Sequence, residues 1–214
     1  MNFKGVLFDL DGTLLDTTDL IIKSFQHTIR THQGCDADIA FVKSTFGMPL
    51  KSALAMMGDD AEAMVRTYRD YNIRYHDELC GIFGGVVETI QKLYGQGVLL
   101  AVVTSKTRVT SIRGLKLFDL DKYLTVIIGH EDCVNHKPHP EPVLRAVAGL
   151  GLTPAECLMV GDSPFDIASA RAAGVKAAAV RWSYVPWGDV MAAQPDYVVA
   201  DMDELVALCG INGK

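Results

Sequence analysis

The chain of 214 residues has no C-x-x-C pair, and its five cysteines (Cys35, Cys80, Cys133, Cys157 and Cys209) are scattered and odd in number. A fully paired disulfide framework is therefore excluded, and reduced thiols in a cytoplasmic setting are expected. No run of about 18 apolar residues is present to span a bilayer. Lys4 and Asp9 interrupt the N-terminal stretch before an apolar export region can form. Positive charge is also in deficit, with 20 Lys and Arg against 26 Asp and Glu and a formal charge of −6. A nucleic-acid footprint would want a basic face, so neither nucleic acid nor membrane is expected as a partner. An anionic ligand would have to be met by a local positive site, such as a metal ion. Internal repeats and low-complexity segments are absent as well.

What is present is an ordinary globular balance, 49% apolar and 21% charged. Short apolar runs bounded by turn signals predict buried parallel strands at Gly5 to Phe8, Val98 to Val103 and Cys157 to Val160. Weaker runs of the same kind lie at Leu124 to Ile128, Lys176 to Val180 and Asp196 to Val199. Helix-period stretches fall between them, at Val86 to Tyr94, Arg108 to Phe118, Pro140 to Gly149 and Phe165 to Ala173. Alternating strands and helices predict an α/β fold with a doubly wound, mostly parallel, Rossmann-like sheet.

From Asp16 to Ile82 the alternation stops. No strand is expected there, only helices at Asp19 to Thr31, Leu50 to Met57 and Ala61 to Leu79, with Met56 and Met57 packed inside. The predicted organisation is a sheet domain from residues 1–15 and 83–214 with an all-helical insertion at 16–82. Phe83 to Val86 (FGGV) is the return linker, its paired glycines free to bend.

Ligands of open α/β sheets sit outside the carboxyl ends of the strands. There the sequence delivers Asp9, Asp11 and Thr13 after the first strand, and Thr104, Ser105 and Lys106 after the second. Lys137 lies in the loop after the third, and Asp162, Ser163 and Asp166 follow the CLMV strand. Several carboxylates with a hydroxyl and an ammonium fit phosphoryl transfer. Oxygen ligands suit Mg2+, which bridges to a substrate phosphate, and an ionised aspartate can serve as nucleophile. Single members have plainer readings: Asp11-Gly12 is a turn dipeptide, Thr104 a strand-end hydroxyl, Lys137 a solvated loop lysine, and Asp166 a first-turn helix charge. His130, Glu131, His136 and His139 match no closed zinc spacing and read as solvated loop residues. Trp182 and Trp187 read as anchors of their loop.

FDLDGT, VVTS, Lys137-Pro138 and GDSPFD, in that order, resemble the four motifs of the haloacid dehalogenase-like hydrolase superfamily, and the helical insertion resembles its first type of cap. The resemblance implies a small phosphorylated substrate. It makes Asp9 nucleophile and metal ligand, and Asp11 the general acid and then base, with its carbonyl on the metal. Thr104, Ser105 and Lys137 would hold the phosphate, Asp162 would ligate Mg2+, and Asp166 would support the metal directly or through water. Asp11 argues against a dehalogenase, and the absence of Lys-Thr-Gly-Thr argues against a P-type ATPase. A phosphomutase of the β-phosphoglucomutase kind remains an alternative, although Leu20, Ile21 and Ile22 are apolar where sugar-handling residues would be expected. A receiver-like phosphoacceptor domain is the more remote alternative.

Within the superfamily the chain resembles the phosphoglycolate phosphatase branch and, through YRDYNIRYHDEL, TSKTRVT with RGLKL, and HKPHPEPV, bacterial inorganic pyrophosphatases. Lys51, Arg69 and Arg74 are the cap cations available to a highly charged substrate. Cap closure is expected to gate the site, with hinges near Leu15 to Thr17 and Phe83 to Gly85.

Overall fold

The computed structural model describes residues 2–211; Met1 and residues 212–214, the end of the expected sheet unit, lie outside the described residues. The chain opens with β1 (Gly5–Phe8), then the two-residue strand β2 (Leu15–Asp16). Four helices follow: α1 (Thr18–Gln33), α2 (Ile39–Ser44), α3 (Leu50–Ala55) and α4 (Ala61–Leu79). A second short strand, β3 (Gly81–Ile82), leads into α5 (Val86–Gly95), β4 (Leu99–Val103), α6 (Arg108–Leu117) and β5 (Val126–Ile128). The remainder is α7 (Glu141–Gly149), β6 (Cys157–Gly161), α8 (Pro164–Ala172), β7 (Lys176–Val180), α9 (Trp187–Ala192), β8 (Tyr197–Val199) and α10 (Met202–Leu208).

Six strands form one sheet in the order β5-β4-β1-β6-β7-β8, every pairing parallel. From β1 the chain winds outward through β4 and β5, then crosses to the other side of β1 for β6, β7 and β8. That reversal places a crevice at the carboxyl ends of the central strands. Side chains alternate faces along a strand, so Val6 and Phe8 enter one core layer with Leu100, Val102, Leu158 and Val160, under α5 and α10. Leu7 enters the other with Ala101, Val103 and Met159, under α7 and α8. Both faces of β1 are fully buried, which is why GVLF carries no alternation of its own.

The helical unit has a separate core built on Phe25, Ile29, Val42, Leu54, Met64, Val65 and Tyr68. α1 buries Leu20, Ser24, Phe25, Thr28 and Ile29, one stripe of its surface, and stops at Gly34 in the left-handed region. α4 starts where the Asp60 carboxylate accepts from the Ala63 amide at 3.0 Å. α2 was not expected, since six residues are too few to show a period; Asp38 nucleates it by accepting from the Ala40 and Phe41 amides. Of the two methionines expected inside this unit, Met57 packs against its core, but Met56 is exposed. It lies just past the last turn of α3, off the buried stripe.

The expectation of no strand at the joint is corrected by β2 and β3. They pair antiparallel, Leu15 with Ile82 and Asp16 with Gly81, and the Phe83 amide adds a bond to the Leu14 carbonyl at 3.3 Å. Both crossings between sheet and helical unit therefore run side by side. Two residues per strand leave no periodic signature, so the ribbon is invisible until its partner is known.

Leu93 on α5 is fully buried in the first core layer. Leu93→Ala is expected to lower stability by about 2–5 kcal/mol, read as a shift of the urea midpoint at unchanged slope.

Candidate active site

The chain reaches the crevice directly from β1. The Asp9 amide still bonds the Val160 carbonyl at 2.9 Å, extending the ladder by one residue. The Leu10 carbonyl then gathers the amides of Thr13, Leu14 and Leu15, and Gly12 turns with φ +86. A Cβ on Gly12 would fall 2.1 Å from Asp162 Oδ2. Only glycine serves there, for conformation and for space alike.

Asp9, Asp162 and Asp166 are all buried, and each offers a carboxylate oxygen within 4.8 Å of the others. The ammonium of Lys137 is lodged among them. It donates to Asp9 Oδ1 at 2.7 Å, Asp166 Oδ1 at 2.6 Å and the Val103 carbonyl at 3.1 Å, spending all three donors. Burial would lower its pKa, but Asp166 and Asp9 hold it above the usual lysine value. Asp166 is further held by the Ser163 amide and hydroxyl, which donate to its Oδ2 at 3.0 and 2.6 Å and close a capping box on α8. Ser183, just past β7, donates to Asp162 Oδ2 at 2.5 Å.

One ammonium does not balance three carboxylates. Burial pushes the Asp9 carboxyl up to about 7 despite Lys137, with Asp166 adding to the rise. Asp162 is raised well above the usual carboxylate value by burial and then by Asp9 and Asp166. The cluster is short of positive charge, and a divalent cation held by carboxylate oxygens would supply it.

Asp11 has the opposite environment. Its carboxylate stands apart from the cluster, accepting from Lys106 Nζ at 2.8 Å and Thr17 Oγ1 at 2.6 Å. Burial favours its neutral form, but Lys106 and Thr17 outweigh it and hold the pKa below the usual value. Thr104 is buried, and its hydroxyl accepts from the Lys106 amide at 3.1 Å. The Ser105 hydroxyl donates to the Gly47 carbonyl of the helical unit at 3.1 Å, joining the two halves across the crevice.

A cleft of about 280 Å³ opens over these groups, lined by Asp9, Asp11, Thr104, Ser105 and Lys106 below and by residues of α1, α3 and α4 above. Every candidate from the four sequence motifs lies at this strand edge. Lys106 and Ser183 were given no role from sequence, and Thr17 only that of a hinge position. Lys106 and Ser183 each follow a strand, and the strand-end rule applied to β7 as well as to the first strands would have found Ser183. Thr17 carried no signal beyond standing six residues after Asp11. The histidine-rich loop forms no metal cluster among the described residues. His130 and His136 stack with ring centroids 4.0 Å apart, Glu131 accepts from the Arg108 amide, and His139 accepts from the Glu141 amide. Trp182 donates to the Thr13 carbonyl at 3.1 Å and packs on Phe83, anchoring its loop, and Arg181 lies over the Trp187 ring.

The sequence pattern of the family described as haloacid dehalogenase-like hydrolase matches residues 6–180. The chain belongs to the haloacid dehalogenase-like hydrolases. A protein of Caldanaerobacter subterraneus subsp. tengcongensis carrying the PpaX designation is 48% identical over 97% of this chain and 95% of its own length. Pyrophosphatase PpaX of Halalkalibacterium halodurans is 40% identical over the whole of both chains. Among solved structures, a haloacid dehalogenase-like hydrolase of Bacteroides fragilis superposes with a TM-score of 0.89 at 27% identity, covering 95% of this chain and 99% of its own. A β-phosphoglucomutase of Clostridium difficile reaches 0.82 at 19% identity over 95% and 93% of the two chains, a likeness of fold alone. In this hydrolase no helix among the described residues is long and apolar enough to cross a membrane.

Two outcomes test the charge balance. Lys137→Ala leaves buried carboxylates without their ammonium and is expected to cost about 3–5 kcal/mol at neutral pH, measured by urea unfolding. The second concerns pH. Asp9 holds its proton up to about 7 when folded but only to 3.8 when unfolded, so between those values the folded chain binds the extra proton and stability falls as pH rises. Asp162 acts in the same sense; the lowered Asp11 acts oppositely, its contribution lost only as pH drops below its unfolded value. The imidazoles of His76 and His130, lowered chiefly by burial, act against this between pH 5 and 8, so metal-free wild type is expected to gain more Tm than Asp9→Asn on going from pH 8 to pH 5, and an added divalent cation to raise wild-type Tm more at pH 8. Equal gains in the two proteins and no response to the cation would contradict the imbalance.

Proposed function

We propose that this hydrolase is a Mg2+-dependent phosphatase working through an aspartyl phosphate on Asp9, with pyrophosphate or a small phosphomonoester such as 2-phosphoglycolate as substrate. The observation that carries the reading is the pair of unlike carboxylates two residues apart. Asp9 sits in an acidic cluster short of positive charge, and Asp11 stands outside that cluster under Lys106 and Thr17. The PpaX designation of its relatives supports the substrate class.

The all-oxygen donor set of Asp9 and Asp162, with Asp166 behind them and the Asp11 carbonyl as a further donor, fits Mg2+. Held there, Mg2+ would supply the positive charge that screens the approach of an anionic phosphoryl group to an anionic carboxylate. Asp9 attacks phosphorus, forming the Asp9–phosphorus bond as the bond to the leaving oxygen breaks. Asp11 gives that oxygen a proton. It then takes one from the water that hydrolyses the aspartyl phosphate, returning Asp9 as carboxylate and releasing phosphate. Thr104 holds a phosphoryl oxygen, and Lys137 keeps Asp9 oriented, joining the phosphoryl group by giving up one of its present bonds to Asp166 or the Val103 carbonyl. Since Lys106 favours the charged form of Asp11, the acid role requires Lys106 to turn from Asp11 toward the incoming phosphate. Ser105, already bonded to the cap at Gly47, reports cap closure to the same edge. The substrate is then a small soluble compound met in the cytoplasm, with no nucleic acid or membrane involved.

Of the three apolar residues at the start of α1, Ile21 lines the cleft, Leu20 is buried and Ile22 packs in the helical core. None of these three side chains offers a sugar a hydrogen-bonding group, which favours a phosphatase over a mutase.

Purified protein with Mg2+ is expected to release phosphate from pyrophosphate or 2-phosphoglycolate; release from hexose phosphates alone would defeat the substrate assignment. Asp9→Asn should abolish turnover while leaving metal-free protein at least as stable as wild type at pH 8, since it removes one of the crowded charges. Asp11→Asn should lower kcat by about 10² to 10⁴, measured by steady-state phosphate release; a near-normal kcat would mean that another group moves the proton.

A further inference from the structure

The three cap cations are not equivalent. Lys51 pairs with Glu62 on α4. Arg74 lies over the Tyr75 ring, 5.5 Å from its centroid, and is not part of the cleft. Arg69 lines the cleft and has no carboxylate partner among the described residues. It belongs to the face of α4 that presents Tyr68, Arg69, Asn72 and Ile73, spaced as one helical stripe, toward the catalytic edge.

On the same wall Ile21, Phe25, Phe46, Met48 and Leu50 bring no charge. Asn72 is tied within the cap, donating to the Ser24 hydroxyl at 3.2 Å, and Tyr68 is buried in the core of the helical unit. Across the cleft stands His130, braced against His136, its Nδ1 buried without a hydrogen-bond partner. Burial, His136 and then the positive charge of Arg69 hold its imidazole below the usual value, so the two walls are within electrostatic reach.

In-line attack by Asp9 sends the leaving group away from that carboxylate, into the cleft that Arg69 lines. We propose that Arg69 is the specificity-determining residue of the cap, receiving a second anionic group on the leaving side of the substrate, with His130 on the opposite wall. That group is the distal phosphoryl of an anhydride or the carboxylate of a small phosphomonoester. The inference rests on the phosphatase reading and narrows it to doubly anionic substrates.

The test compares kcat/KM for pyrophosphate and 2-phosphoglycolate with that for p-nitrophenyl phosphate, whose leaving group carries no second anion, in wild type, Arg69→Ala and Arg69→Lys. A charged hydrogen-bond pair corresponds to roughly 10- to 100-fold in affinity. Arg69→Ala is expected to lower the ratio of doubly anionic to p-nitrophenyl substrate by that factor, mostly through KM, and Arg69→Lys to recover part of it. The ratio is internal to each protein, so general damage to the cap, which lowers both activities together and leaves the ratio unchanged, overturns the inference while leaving the phosphatase reading intact. Wild-type protein that turns over p-nitrophenyl phosphate but neither anionic substrate overturns the substrate reading and the inference together. Wild-type protein that releases phosphate from none of the three overturns the phosphatase reading itself, and the inference with it.

Discussion

The ammonium of Lys137, buried among carboxylates, is the interaction on which the carboxyl edge of the sheet depends. Its three donors reach Asp9 after β1, Asp166 in the first turn of α8 and the last carbonyl of β4, so one side chain ties together segments far apart in sequence. The close packing around it dictates residues that carry no chemistry. A Cβ at Gly161 would sit 2.5 Å from the Asp166 Cβ, and Gly12 meets Asp162 in the same way. Two of the glycines flanking the motifs are there because the acids need the room. The second oxygen of Asp166, meanwhile, completes the N-terminal cap of α8, so the electrostatics of the cluster and the start of a structural helix share one carboxylate.

The separation of Asp9 from Asp11 is a consequence of the turn between them. A strand continued through residue 11 would have placed both on one side, in mutual repulsion. The chain leaves the ladder after Asp9, folds around the Leu10 carbonyl and presents the second carboxylate to Lys106 and Thr17. Two identical side chains thereby acquire pKa values displaced in opposite directions, the condition that the proposed division between nucleophile and proton carrier requires.

Long buried strands and periodic helices were legible from sequence. β1 and β7 have the bounds read from their apolar runs, and α4 those read from its period. The strand at Leu124 starts later, at Val126, because a short helical turn runs through Asp121 to Tyr123. α2, α9 and α10 were missed, each too short to show its period and held by caps and tertiary contacts. The motif residues could be placed at one edge by the strand-end rule alone. Which partner each would have was not legible. Lys106, following Thr104, reads as a neighbour of the phosphate site, yet it reaches Asp11 across 95 positions. Ser183 reaches Asp162 from the end of the neighbouring strand, β7, across 21 positions. Such pairings depend on the winding of the sheet, which local sequence does not encode.

The ribbon of β2 and β3 has a consequence for the history of the fold. Because the cap leaves and re-enters through two hydrogen-bonded strands, the sheet unit meets it as a loop whose ends already touch, whatever the length in between. Closure entropy rises only slowly with such length, and the cap's core is its own. Helices can therefore be lengthened, exchanged or remodelled beyond the ribbon without altering the register of β1 or the setting of its aspartates. The architecture separates a part that must stay constant from a part that is free to diverge, and the chain passes between them through a ribbon two residues long.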